Sequence, residues 1–253
     1  MLNDKNFTIP ELVLSNATTF FSGNLEKLFK KAKRLGFKYV EIAPYRWTRP
    51  EQILDLQKKY AITVAGIHLP FTSWGQSIWQ ELKHRKGLWN KFFIIIFRFY
   101  LGNVAKNPAI QIAEQLSATK PYFLIHSDVV SEIGPKITEL RKRFHVVIEN
   151  IPGDHTLTSG GVFDHNHFIL SRRQYPKLNI MELYKQARPE IIHISYDNPI
   201  PASFPNAREQ EELKQLLKIH QPRYITIETN PLTNVKKGKL LLEKILHPDN
   251  TPI

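Results

Sequence analysis

The chain predicts a single α/β domain: eight parallel strands closed into a barrel, each followed by a crossover to the next. Three observations carry that expectation. Short β-branched runs alternate with amphipathic stretches along almost the whole length, eight such runs can be counted, and 253 residues suit one barrel. The domain is expected to span residues 1–253 without a break.

The eight runs are Leu12–Leu14, Tyr39–Ala43, Thr63–Leu69, Tyr122–His126, His145–Glu149, Gly161–Asp164, Ile191–Ser195 and Tyr224–Glu228. The sixth is the weakest, because only a few apolar residues follow Gly160 and Gly161. Between the first two runs, Leu25, Leu28, Phe29, Ala32 and Leu35 recur at helical spacing, with Asn24 to cap the start and Gly36 the end. Further helices are expected to begin near Pro50, Ser131, Asn179, Asn206 and Thr233, where Pro50 suits a first turn and the others carry capping side chains. Two places break the rhythm. The stretch between His68 and Tyr122 is far longer than one crossover needs, and it holds an aromatic-rich insertion at about 72–103. That insertion contains Trp74, Trp79, Trp89 and the run Phe92 to Tyr100, which is too short to span a bilayer. It reads as a helix packed on the barrel, as a lid or homo-oligomer contact through residues 74–100, or as a membrane-surface contact. Conversely, Glu149 and Asp164 are too close for a full helix, so the fifth crossover is shortened to an irregular loop.

Composition narrows the chemistry. There is no cysteine, which excludes disulfides, thiolate metal sites and a cysteine nucleophile, and fits a reducing compartment. No secretory leader or transmembrane segment is visible, and the chain reads as cytoplasmic. The net charge of +12 allows attraction to phosphate in nucleic acid, sugar phosphates or anionic lipid, yet much of it lies on helix faces such as Lys27, Lys30, Lys31, Lys33 and Arg34, so charge alone chooses no partner.

In a parallel barrel the C-terminal strand ends share one mouth. Polar residues close strand after strand: Glu41, His68, His126, Glu149, Asp164, His193 and Glu228. Charge buried against apolar strands must be paired or bound to a cation, and a divalent metal would compensate this set. Each residue alone has a plainer reading. Glu41 could pair with Lys38 or Arg46, His68 and His126 could each satisfy a backbone carbonyl, and His155 and His165 fall in loop-like stretches that read as surface. In the string Asp164-His165-Asn166-His167, a carboxylate and an imidazole three apart can turn toward one ion. Carboxylates with imidazoles suit Mn²⁺, Co²⁺, Mg²⁺ or Zn²⁺.

These residues resemble the xylose isomerase-like barrels, a superfamily of sugar and sugar-phosphate isomerases and epimerases that also includes endonuclease IV. The marks are Gly36-Phe37-Lys38-Tyr39-Val40-Glu41, Ile67-His68-Leu69-Pro70-Phe71, Ile148-Glu149-Asn150-Ile151-Pro152-Gly153, Phe163-Asp164-His165-Asn166-His167, Ile192-His193-Ile194-Ser195 and Thr226-Ile227-Glu228. The resemblance implies that Glu149, Asp164, His193 and Glu228 bind the metal and that Glu149 and Glu228 double as acid and base, with an enediolate between them. It implies substrate or secondary metal contacts for His68, His126, His167 and Glu41, and a sugar or sugar-phosphate substrate. The endonuclease IV branch also uses histidines on the third and fourth strands, and its members cleave DNA at abasic sites with several zinc ions. That branch is not favoured, because its Asp-x-His pair beyond the seventh strand has no match in Tyr196-Asp197-Asn198-Pro199-Ile200-Pro201. A third reading is a non-catalytic barrel whose mouth is plugged by Trp74 or Trp79.

Overall fold

The computed structural model describes residues 9–69, 99, 107–127, 130, 136–151, 153, 157–194, 206–228 and 235–247. Its strands are β1 Glu11–Ser15, β2 Tyr39–Ile42, β3 Thr63–His68, β4 Tyr122–His126, β5 His145–Glu149, β6 Val162–Asp164, β7 Ile191–Ile194 and β8 Tyr224–Ile227. Every neighbouring pair is parallel, and β1 pairs with β8 to close the barrel. The eight expected strands are therefore present, each within about two residues of its expected ends.

Eight helices are described: α1 Leu25–Arg34, α2 Pro50–Tyr60, α3 Ala109–Gln115, α4 Lys136–Arg143, α5 His165–Gln174, α6 Ile180–Ala187, α7 Ala207–Ile219 and α8 Val235–Leu246. The Asn24 side chain accepts from Glu26 N at the start of α1, Pro50 opens α2, and Asn206 and Glu209 form a reciprocal capping box at α7. Helix α5 was not expected. The stretch after Asp164 lacks leucines at helical spacing, but Asp164 accepts from His167 N as an N-cap, and Phe168 and Ile169 bury against the sheet. Between β5 and β6 the described residues hold turns and no helix, as the short spacing requires. The insertion at about 72–103, with Trp74, Trp79 and Trp89, lies outside the described residues apart from Phe99. Among the described residues, no helix is long and apolar enough to cross a membrane.

Side chains alternate across each strand, and this period of two sorts the barrel into two cores. Outward residues such as Val40, Ile42, Phe123, Ile125, Phe163, Ile192, Ile225 and Ile227 pack with the helices. Inward residues Val13, Ala65, Tyr122, Leu124, Val147, Val162, Ile191 and Tyr224 form a second cluster that fills the barrel. Continuing the inward positions toward the C-terminal ends gives Ser15, Glu41, His126, Glu149, Asp164, His193 and Thr226. The same alternation that builds the lower core therefore delivers polar groups to the mouth.

Candidate metal centre

Register brings these ends together. Glu149 lies beside His126, Asp164 beside His193, and Ser15 beside Glu41. One ligand atom from each of Glu149, Asp164, His193 and Glu228 falls within 4.8 Å of the others. His193 is at the centre: its Nδ1 is 3.2 Å from Glu149 Oε1 and 3.1 Å from Glu228 Oε2. A second group, His68, His126 and Glu149, meets the same limit. There Glu149 Oε2 is 3.3 Å from His126 Nε2 and 3.6 Å from His68 Nε2, so the two oxygens of one carboxylate serve two clusters.

The surroundings orient these groups. His68 Nδ1 lies 3.1 Å from the Leu69 carbonyl, and His167 Nδ1 lies 2.7 Å from the Asn150 carbonyl, so each ring donates at Nδ1 and turns Nε2 the other way. Asn150 also accepts from Asp164 N, and Ser15 Oγ donates to Glu228 Oε1 at 3.2 Å. The backbone-carbonyl contact expected for His68 is thus present, and it leaves the opposite nitrogen for the cluster.

Burial and neighbouring charge pull against each other within the site. Burial pushes the Glu149 carboxyl up, but His193 and His126 outweigh it and hold the group well below the ordinary carboxylate range. Burial likewise opposes ionisation of Glu228, which the adjacent His193 nevertheless keeps low. Asp164 goes the other way: burial and the nearby Glu149 raise it against the pull of His167. His193 is raised well above its ordinary value, because Glu41 and Glu149 overcome its desolvation. Two buried atoms at the convergence, His193 Nδ1 and Glu149 Oε2, have no hydrogen-bond partner among the described residues. Nδ1 faces Glu149 Oε1 and Glu228 Oε2, whereas Oε2 faces the Nε2 atoms of His126 and His68. Three carboxylates with one imidazole form an oxygen-rich donor set that fits a divalent metal.

Two expectations change. Glu41 is 1 % exposed and accepts from Tyr122 Oη and His193 Nε2 inside the barrel, in place of the expected Lys38 or Arg46. His165, expected at the surface, is fully buried in α5, where Nε2 lies 2.9 Å from Glu212 Oε1 and Arg172 joins the same carboxylate. Burial follows from the helix, which turns His165 inward toward α7. His155 lies outside the described residues. Ser15, Tyr122, Asn150 and Thr226 contribute to the site but were missed by sequence reasoning. For the first, second and fourth, their inward position on a strand was the available signal.

No protein-family model matches the chain, and no curated protein does. Solved structures do match. A sugar phosphate isomerase/epimerase from Parabacteroides distasonis aligns at 11% identity over 96% of this chain and 93% of its own, with a TM-score of 0.52. An AP endonuclease, family 2, from Brucella melitensis aligns at 14% identity over 90% and 96%, with a TM-score of 0.47. At such identity the likeness is one of fold. It shows the barrel and nothing finer.

Proposed function

We propose that this chain is a divalent-metal-dependent isomerase or epimerase of a sugar or sugar phosphate, working by proton transfer next to a carbonyl. The observation that supports it is the convergence of Glu149, Asp164, His193 and Glu228 on one point at the barrel mouth. Those four residues would hold Mn²⁺, Co²⁺, Mg²⁺ or Zn²⁺, which when bound polarises a carbonyl and its neighbouring hydroxyl and so lowers the cost of removing the proton between them.

The chain itself supplies the acid and base. Glu149 and Glu228 each turn one oxygen to His193, and each has a second oxygen directed elsewhere, to His126 and to Ser15 respectively. Both are held ionised at neutral pH, the state in which a carboxylate accepts a proton. Glu228, with 22% of its side chain exposed, is the more open of the two and reaches substrate from the mouth. His167, fixed by Asn150, would orient a substrate oxygen, with His68 and His126 on the opposite side of Glu149. The cysteine-free composition supports a cytoplasmic setting.

The test is metal analysis of the purified protein, then incubation with candidate ketoses and ketose phosphates in D₂O. Deuterium is expected at the carbon next to the carbonyl, with Glu228→Gln slowing its entry by at least about 10²-fold. Metal-loaded protein that exchanges no carbon-bound proton in any candidate ends the reading.

One observation favours a second reading, a zinc phosphodiesterase of the endonuclease IV type. Glu149 is shared between the two clusters, and a shared carboxylate suits a pair of ions flanking an in-line displacement at phosphorus. The positive net charge suits DNA. Against it, residues 195–205 contain no histidine, and the next one, His220, caps the C-terminal end of α7 beside the Pro189 carbonyl, at the opposite face from the mouth. Abasic-site duplex left intact by zinc-loaded protein would remove this alternative.

A further inference from the structure

A chain of buried polar contacts runs from His193 into the barrel. Glu41 Oε2 accepts from Tyr122 Oη at 2.6 Å and from His193 Nε2 at 3.0 Å. Tyr122 Oη also lies 3.4 Å from Thr226 Oγ1. Glu41, Tyr122, His193 and Thr226 are all 2 % exposed or less.

We infer that Glu41 is a positioning residue for the metal centre: by accepting the Nε2–H of His193 it fixes the imidazole so that Nδ1 is the ligand atom, while Tyr122 holds Glu41 in place. The inference rests on the metal reading given above. A neutral imidazole donates from one nitrogen and ligates with the other, so whatever accepts at Nε2 decides that Nδ1 carries the lone pair. The geometry on the other side agrees. Nδ1 faces Glu149 Oε1 and Glu228 Oε2 at 3.2 and 3.1 Å, and it has no hydrogen-bond partner among the described residues.

A merely structural role for Glu41 accounts poorly for the arrangement. A carboxylate buried this deeply is costly unless charge compensates it, and an apolar side chain would fill the same space more cheaply. Glu41 Oε1 is itself buried without a hydrogen-bond partner among the described residues, so the placement of this carboxylate satisfies Tyr122 and His193 rather than Glu41. A carboxylate that accepts from the Nε2–H of an imidazole makes the opposite nitrogen a stronger ligand.

The experiment titrates the metal-free 253-residue chain with Co²⁺ by calorimetry, and records histidine ring N–H resonances of the ¹⁵N-labelled, zinc-loaded protein. Wild type is expected to bind Co²⁺ and to show a slowly exchanging His193 Nε2–H. Glu41→Ala is expected to weaken affinity by about 10–100-fold and to lose that resonance. Glu41→Gln, whose amide oxygen still accepts, keeps the resonance but shifts it and falls between the two in affinity. Tyr122→Phe shifts it less. A wild type that binds no Co²⁺ sinks the metal reading and the positioning role with it. A binding wild type alongside Glu41→Ala of unchanged affinity sinks the positioning role alone. Should Glu41→Ala lose its cooperative melt, Glu41→Gln and Tyr122→Phe decide: unshifted resonances and unchanged affinity in both overturn the role.

Discussion

Three carboxylates packed around one imidazole repel one another unless positive charge sits among them. Without an ion that charge is a proton on His193, whose basicity is raised well above the ordinary value by Glu41 and Glu149 despite its burial. An ion bound at Nδ1 must displace that proton, so binding and acidity compete. Above the raised His193 value no proton opposes the ion; below it, each unit of acidification weakens apparent affinity by about tenfold for each proton released. Cobalt titrations at several pH values check this, and an affinity indifferent to pH would count against His193 as a ligand. Asp164 does two tasks that can be separated at one atom. Its Oδ1 caps α5 by accepting from His167 N, and its charge belongs to the candidate ligand cluster. Asparagine caps as well as aspartate, so Asp164→Asn should keep the denaturation midpoint while metal affinity drops, whereas Asp164→Ala should lose affinity and about 1 kcal/mol of stability. A stability loss in Asp164→Asn equal to that in Asp164→Ala would refute the division.

Strand β3 shows how an element makes room for the site. Gly66 lies in register between Glu41 on β2 and Tyr122 on β4, after a register shift at Val40/Glu41. A Cβ at Gly66 would sit 2.1 Å from Tyr122 Cε2 and 2.6 Å from its Oη, so only glycine lets the ring cross β3 to reach Glu41. Gly66→Ala should therefore cost about 1–3 kcal/mol and weaken metal binding as well, because the ring must leave Glu41. Denaturant midpoints of Gly66→Ala, Tyr122→Leu and the double variant test the clash. Losses that simply add in the double variant would argue that the two positions do not collide. This contact also explains what the sequence could and could not reveal. The eight strands were legible because apolar runs and turn residues are local signals, and the candidate ligands were noticed because each lies at or near the end of such a run. The partners of Glu41 come from β4 and β7, and no spacing within β2 announces them. Helix α5 was missed for a related reason: its first turn, His165-Asn166-His167, is polar because it faces the site and Glu212, so it lacks the apolar period that marked α1.

The whole barrel divides its labour between two faces: the mouth gathers the buried carboxylates and imidazoles, and the opposite end ties the strands together. At that end Tyr39 and Tyr122 each meet Tyr224, with ring centroids 5.7 Å apart in both pairs, and close the interior from below. Outside them His145, which opens β5, pairs its Nε2 with Glu190 Oε2 at 2.7 Å, and Arg223 N donates to the Glu190 carbonyl at 2.8 Å. Glu190 precedes β7 and Arg223 precedes β8, so three strand starts meet at one carboxylate-bearing residue. The hydrogen bond from His145 lowers the Glu190 carboxyl against the effect of burial, and the same bond raises the His145 imidazole. The sign follows from both shifts. The raised histidine contributes fully below its ordinary value of 6.5, and its contribution is lost as pH rises through the higher folded value. The lowered carboxylate contributes fully above its ordinary value of 4.5, and its contribution is lost as pH falls through the lower folded value. The clamp thus works best between those two ordinary values. His145 is about half exposed, so solvent screening limits it to at most about 1 kcal/mol, or about 2–4 °C in Tm for a chain of this size. His145→Gln should melt below wild type by up to that amount near pH 5.5 and converge with it once the imidazole is neutral. A Tm gap of the same size at alkaline pH would show that His145 stabilises the barrel floor by packing rather than by charge.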